Sequence, residues 1–416
     1  MSPLIGILAQ LITVGVSDRT EARAVVSGDK YAEVATTPRA GINFGWKHAT
    51  LSLGYGVSLT GASVAPDGLT LIVFQNAFLA ASYRWSRTTL TVSESVGYGN
   101  ISFRNQAAAG ALIPGAVAGT QLPTAPVTPG TGGTGTTGTG TPAPQPPVGA
   151  AVNPNQIRAS VRVLRYVTSV TNVGFATLVS PVLVVGGGVG YLITGTVGAE
   201  KVPEYPLVKG PVFQAYGSYS LDRSNDLRTS ISTQYLGALD GTNAWYGFAS
   251  EAWGHRFSAQ TQSQVSAGMS VTRNSRPDGL VALSFFPTVG AQLTRTVPAG
   301  RGQLSYGVNA AIAPAIDPVN AYVDPRFGFG GNVSWSKDRF GSALAVGVGL
   351  PVHTSSGGAE LNSFYSTLTL GYRLGAGFAV DTGVRGFWQT VGRAQTVPPL
   401  IAVFAGLTYG AFLPLN

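Results

Sequence analysis

Residues 50–60 read TLSLGYGVSLT, and every second side chain is apolar. A β-strand turns successive side chains to opposite faces. Leu51, Leu53, Tyr55, Val57 and Leu59 therefore share one face, and Thr50, Ser52, Gly54, Gly56, Ser58 and Thr60 share the other. One such strand is compatible with many folds. The alternation recurs along most of the chain, however, and no amphipathic helical period accompanies it to supply a covering layer. A lipid bilayer covers apolar strand faces of this kind. The expected fold is all-β, a single transmembrane antiparallel β-barrel, with Leu51, Leu53, Tyr55, Val57 and Leu59 facing lipid.

Charge and glycine content agree with that expectation. Charged residues make up 11% of the chain, against about a quarter in soluble domains. Hydrophobic content of 44% is ordinary, and no interior stretch reaches the ~20 apolar residues of a spanning helix. Low charge and 56 glycines suit a wall with lipid on one face and water on the other. The absence of cysteine excludes disulfides, thiolate metal sites and cysteine nucleophiles. The net charge of +8 is carried mostly by arginine, and the basic residues are dispersed, which argues against nucleic acid as a partner.

Turn signals divide the chain into about eighteen strands between residues 19 and 411. Short links at His48–Ala49, Ser86–Thr88, Ser180–Pro181, Arg223–Asp226, Ser258–Ala259, Ser336–Arg339 and Gly375–Gly377 tend to alternate with longer ones, such as 61–69, 104–160, 195–209, 352–361 and 390–398. Bacterial outer-membrane barrels have tight periplasmic turns and extended external loops, so the expected location is the outer membrane, among its lipids. Residues 19–416 form the expected barrel. Within it, residues 104–160 form a low-complexity external loop whose Gly/Thr/Pro tract buries too little apolar surface to order itself. Residues 1–18 read as a truncated signal or a periplasmic N-terminal segment, because Leu4 to Val16 resemble a signal core without a positive n-region.

Carried along each strand, the alternation assigns Arg39, Lys47, Arg84, Glu251, Arg326, Arg373, Asp381 and Arg385 to the lumen, a mildly basic, polar-lined channel. Trp245, Trp253, Tyr216, Tyr365 and Phe387 are also expected inside, as platforms for sugar rings or as packing. Trp46, Trp85 and Trp335 each stand beside a short turn, as an aromatic girdle requires. Glu94 falls on the apolar face of its strand. A carboxylate facing lipid is costly, so a bulge that shifts the register is expected there. His48, His255 and His353 lie on a turn, near a strand end and on a loop, so no metal site and no cofactor are expected. Gly186–Gly188 precede no helix and are not a phosphate loop. With no nucleophile–base constellation, the chain does not read as an enzyme.

The stretches TNVGFATLVSPVLVVGGGVGYLITG (171–195) and TLTVSESVGYGNISF (89–103) resemble the Wzp-type exopolysaccharide-export porins, a group of outer-membrane β-barrels. The resemblance spans most of the chain after Asp18. It implies polysaccharide as cargo and a periplasmic polysaccharide-export protein as partner, and it carries over no catalytic residue. The chain departs from barrels generally at its end, Ala411-Phe412-Leu413-Pro414-Leu415-Asn416, where the usual terminal aromatic is displaced inward to Phe412. The residues themselves leave open a general or solute-selective diffusion porin, and a surface binding or adhesion barrel without transport.

Overall fold

The structure, a computed structural model, describes residues 12–27, 29–64, 68–102, 163–197, 207–238, 241–275, 277–316, 323–352, 361–391 and 395–415. Its strands are β1 (Ile12–Ser27), β2 (Asp29–Thr36), β3 (Arg39–Gly45), β4 (Ala49–Val64), β5 (Gly68–Arg84), β6 (Thr88–Ser102), β7 (Val163–Ser180), β8 (Leu183–Thr196), β9 (Val208–Ser220) and β10 (Asn225–Ala238). They continue with β11 (Asn243–Ser258), β12 (Thr261–Ser275), β13 (Val281–Ala299), β14 (Gly302–Ile316), β15 (Val323–Lys337), β16 (Phe340–Pro351), β17 (Leu361–Gly375), β18 (Phe378–Val391) and β19 (Gln395–Leu415).

Apart from β2 and β3, consecutive strands pair antiparallel, and β1 closes on β19 from Ile12–Leu415 to Val26–Ile401. Both β2 and β3 pair with β1 on one side and β4 on the other. They are two halves of one stave, parted at Thr37 and Pro38, where proline has no N–H to give the ladder. Nineteen segments less that one join leave eighteen staves. Closure gives every strand a hydrogen-bonded partner on both sides, the condition a sheet must meet to cross a bilayer.

One end of the barrel has only tight connections, among them 85–87, 181–182, 259–260 and 376–377. Gly377 has φ 82, and a Cβ there would lie 2.1 Å from the carbonyl oxygen of Gly410. Only glycine fits that turn. The opposite end carries the long connections, including 103–162 and 197–207.

The register fixes both faces. Leu51, Leu53, Tyr55, Val57 and Leu59 lie on the face opposite Thr60 and Ala62, which are buried within the barrel. The outer face continues through Ile42, Val73, Val96, Val173, Val189 and Phe213, and onward around the wall. Aromatic contacts mark the short-turn end of this face: Phe44–Trp46, Tyr83–Trp85, Trp253–His255, His255–Phe257, Trp335–Phe340 and Phe378–Tyr409. Trp245 and Trp253 lie eight residues apart on β11 and both point outward, against the inward expectation. At ~3.4 Å per residue and a tilt of about 40°, they stand roughly 20 Å apart along the membrane normal, close to the ~25 Å height of a barrel's apolar band.

Two other expectations meet the structure differently. No bulge shifts β6: its pairs with β5 and β7 run without interruption, and Glu94 faces outward. Its carboxylate accepts hydrogen bonds from Ser169 Oγ (2.9 Å) and Thr171 Oγ1. Local hydroxyls, not a change of register, accommodate the charge. β1 begins at Ile12, so residues 12–18 lie in the wall. Gly186, Gly188 and Gly190 form an inward row, and a Cβ on Gly186 would lie 2.4 Å from the Tyr216 ring, so these glycines make room for neighbouring side chains.

Glu94→Gln keeps an acceptor oxygen for one hydroxyl, offers the other an amide N–H, and removes the ionisable group. It is expected to raise barrel stability by about 1 kcal/mol, read from urea titrations in lipid vesicles at neutral pH. Unchanged stability would mean that the Glu94 carboxylate is already solvated.

Candidate functional site

The inner face is graded along the barrel axis. On β12, Gln262 is exposed and Gln264 half-buried near the short turns, whereas Ser270, Thr272 and Asn274 are buried. On β10, Asp226 and Arg228 are half-buried and Ser230, Ser232, Gln234 and Leu236 are buried. The lumen is thus accessible from the short-turn mouth and packed toward the long-loop end. There Leu192, Val208, Leu236, Ala244, Tyr246 and Val323 form one apolar cluster. Val25, Phe387, Leu400 and Ala402 form another, with Tyr31 and Tyr365 packed against it.

Val323 belongs to that first cluster because β15 starts inside the barrel. Asn274, pointing inward from β12, accepts the Val323 N–H on Oδ1 (3.0 Å) and donates from Nδ2 to the Val323 carbonyl (3.1 Å). In the sheet β12 and β15 are separated by β13 and β14, so this contact cuts across the lumen instead of running along the wall. One amide satisfies both backbone groups of a buried residue, as a ladder partner would. Beside the clamp lies a chamber of about 310 Å³ bounded by residues of β7 through β14.

The predicted lumen charges fall into distinct groups. Arg385 and Asp381 join an inner-face network with residues that sequence reasoning had not singled out. Glu21 accepts from Arg19 Nη2 (2.8 Å), Arg23 Nε (2.5 Å) and Arg385 Nη1 (2.5 Å). Arg23 also reaches Glu33 (3.0 Å), and Arg19 reaches Asp381 (2.6 Å). The Arg385 guanidinium lies 3.7 Å above the centroid of Phe404. Three arginines meet three carboxylates, so the network adds no net charge.

Arg326 sits on the inner face of β15 but is only 2% exposed, so it belongs to the packed end and not to a water-lined path. Glu251 is a correction. It pairs with Thr229 on the outer face, and Thr229 Oγ1 donates to it at 2.6 Å. The remaining four are exposed: Arg39 on the inner face with its stem over Gly56, Lys47 on the 46–48 turn, and Arg84 and Arg373 pointing inward at the short-turn mouth.

Basic residues dominate that mouth. Arg256 points inward there, and Arg87, Arg223, Arg301 and Arg339 stand on the turns, with Asp222, Asp226 and Asp338 as acids at the same level. The Asp222 carboxyl is held below its ordinary range by the Ser224 backbone N–H, followed by the Asn225 side chain. It therefore stays anionic through neutral pH. Of the histidines, His48 lies on a turn, His255 Nδ1 lies 2.8 Å from Asn225 Oδ1, and His353 is outside the described residues. Among the described residues no group of three His, Cys, Asp or Glu could hold a metal ion. Loop 104–160 also lies outside the described residues.

No family model matches the chain, and no curated protein matches it. Solved structures with a similar course include OccK1 (OpdK) of Pseudomonas aeruginosa, 10% identical at a TM-score of 0.48, over 97% of this chain and 99% of that one. OpdK of Pseudomonas aeruginosa with vanillate gives 10% identity and a TM-score of 0.49, again over 97% and 99%. OccAB2 of Acinetobacter baumannii gives 9% identity and a TM-score of 0.49, over 97% of this chain and 98% of that one. Identities this low carry no cargo or residue role across.

Proposed function

We propose that this chain is an outer-membrane diffusion channel for small hydrophilic solutes. The supporting observation is a closed eighteen-stave wall with an apolar outer face, whose polar inner face leads from an exposed basic mouth to a narrow chamber. Barrels of this strand number can leave an aqueous path. A path crossed by the Asn274–Val323 clamp suits small molecules better than a polymer. Polysaccharide export with a periplasmic partner rests on sequence resemblance alone, and the diffusion reading is preferred to it. The adhesion reading draws on the external loops, of which 104–160 lies outside the described residues.

Vesicles carrying the refolded chain test this directly. They are expected to swell in small neutral solutes and not in dextran. Vesicles as tight as protein-free controls would end the channel reading.

The basic mouth adds a second expectation. Exposed inward arginines attract anions to the opening. Arg84→Ala combined with Arg373→Ala should move the reversal potential in a KCl gradient toward cation preference. An unmoved potential would place both side chains outside the permeation path.

A further inference from the structure

The chamber beside the clamp differs in chemistry from the mouth. Asn172, Gln214, Ser232, Gln234, Ser250 and Thr288 border it, and among the described residues no charged side chain does. Val170, Leu192, Val212 and Phe248 supply apolar wall between these polar groups. Its volume of about 310 Å³ is at the small end of the ~300–1,000 Å³ typical of ligand pockets.

Two of the bordering polar atoms have no hydrogen-bond partner among the described residues. Gln234 is 1% exposed, and its Oε1 accepts the Tyr246 hydroxyl at 2.5 Å. That bond orients the amide and leaves Nε2, which has no partner among the described residues, to donate elsewhere. Thr288 is 9% exposed, and its Oγ1 likewise has no partner among the described residues. A buried donor or acceptor left unmatched costs about 1–3 kcal/mol, so a ligand that engages these groups recovers that cost.

The geometry points to a binding subsite for a neutral, hydroxyl-rich ring of monosaccharide size. This inference rests on the channel reading and extends it to a solute class. Sugar hydroxyls both donate and accept, so they match an unpaired amide N–H and an unpaired threonine oxygen together. Their C–H faces fit against Phe248 and the aliphatic wall. A carboxylate or ammonium would leave water for a space with no counter-charge on its border, at a larger cost. The mouth therefore attracts anions while the chamber prefers neutral solutes, and the two filters act in series.

Planar-bilayer recordings of the full chain with glucose, glucuronate and glucosamine test the assignment. Glucose is expected to interrupt the current at concentrations where the two charged sugars do not. Gln234→Leu with Thr288→Val should weaken the block by about tenfold or more, and heat-sensitive migration on gels shows that the variant barrel is folded. Thr288→Val alone should give a smaller loss.

Equilibrium dialysis of radiolabelled glucose against the detergent-folded barrel reads the same site without current. Binding that the double variant abolishes, in a barrel that conducts nothing, would retain the subsite and overturn the channel. A conducting barrel with no glucose block and no glucose binding would retain the channel and overturn the subsite. Equal block by all three sugars would also overturn it.

Discussion

Asn274→Ala is expected to open the narrowed end of the barrel and raise single-channel conductance. The substitution removes both hydrogen bonds that seat Val323 and leaves a buried N–H and a buried carbonyl without those partners. Each such group costs about 1–3 kcal/mol, so the seated position loses at least ~2 kcal/mol. That shifts the ratio of displaced to seated segment by more than about tenfold. The wall itself should persist, because the β12 ladders with β11 and β13 do not depend on the Asn274 side chain.

Asn274→Asp makes a graded comparison. A carboxylate still accepts the Val323 N–H but no longer donates to its carbonyl, so the conductance should fall between wild type and Asn274→Ala. Asn274→Ala with wild-type conductance and wild-type current noise would show that the clamp does not limit the path.

The sequence makes the wall legible because its cause is local. Thr50–Thr60 alternates at every residue, and a one-residue slip would turn all five apolar side chains inward, so the pattern sets the face without tertiary information. Strand β11 shows where this logic gives out. From Ala244 to Gly254 both faces carry aromatics and small residues, and Glu251 was the only charge available to mark an inner side. It marked the wrong one, because a cross-strand threonine hydroxyl accommodates it on the outer face. Trp245 and Trp253 then went inward with it, although Trp253 stands close to the Ser258–Ala259 turn as the girdle tryptophans do. Turn proximity was a usable signal there, and the charge outweighed it.

The inner network and the clamp were hidden for a different reason. Glu21 and Arg385 are 364 positions apart and Arg19 and Asp381 are 362 apart, so they meet only when the first and last strands close. Asn274 and Val323 are 49 apart and meet across the lumen, off the ladder. Alternation reports which face a residue occupies. It carries nothing about which residues of that face meet after closure.

That closure seam is where the largest loss of stability is expected. Arg385 reaches from β18 across β19 to Glu21 on β1, its guanidinium lying over Phe404, so the network straps the three strands where the barrel joins its ends. Glu21 is only 3% exposed and is the shared acceptor of three arginines. Glu21→Ala leaves Arg23 and Arg385 buried with a net positive charge around them. Breaking a buried pair from one side costs about 3–5 kcal/mol. Urea titration of the folded barrel, followed by its heat-sensitive migration on gels, should show a midpoint lowered accordingly. Glu21→Gln keeps one acceptor oxygen without the charge and should lose less than Glu21→Ala. Glu21→Met combined with Arg385→Met removes one buried charge of each sign and should recover part of the loss, because the strap then becomes apolar packing against Phe404. If Glu21→Ala unfolds at the wild-type midpoint, lumen water solvates these arginines, and the seam is held by the β1–β19 ladder alone.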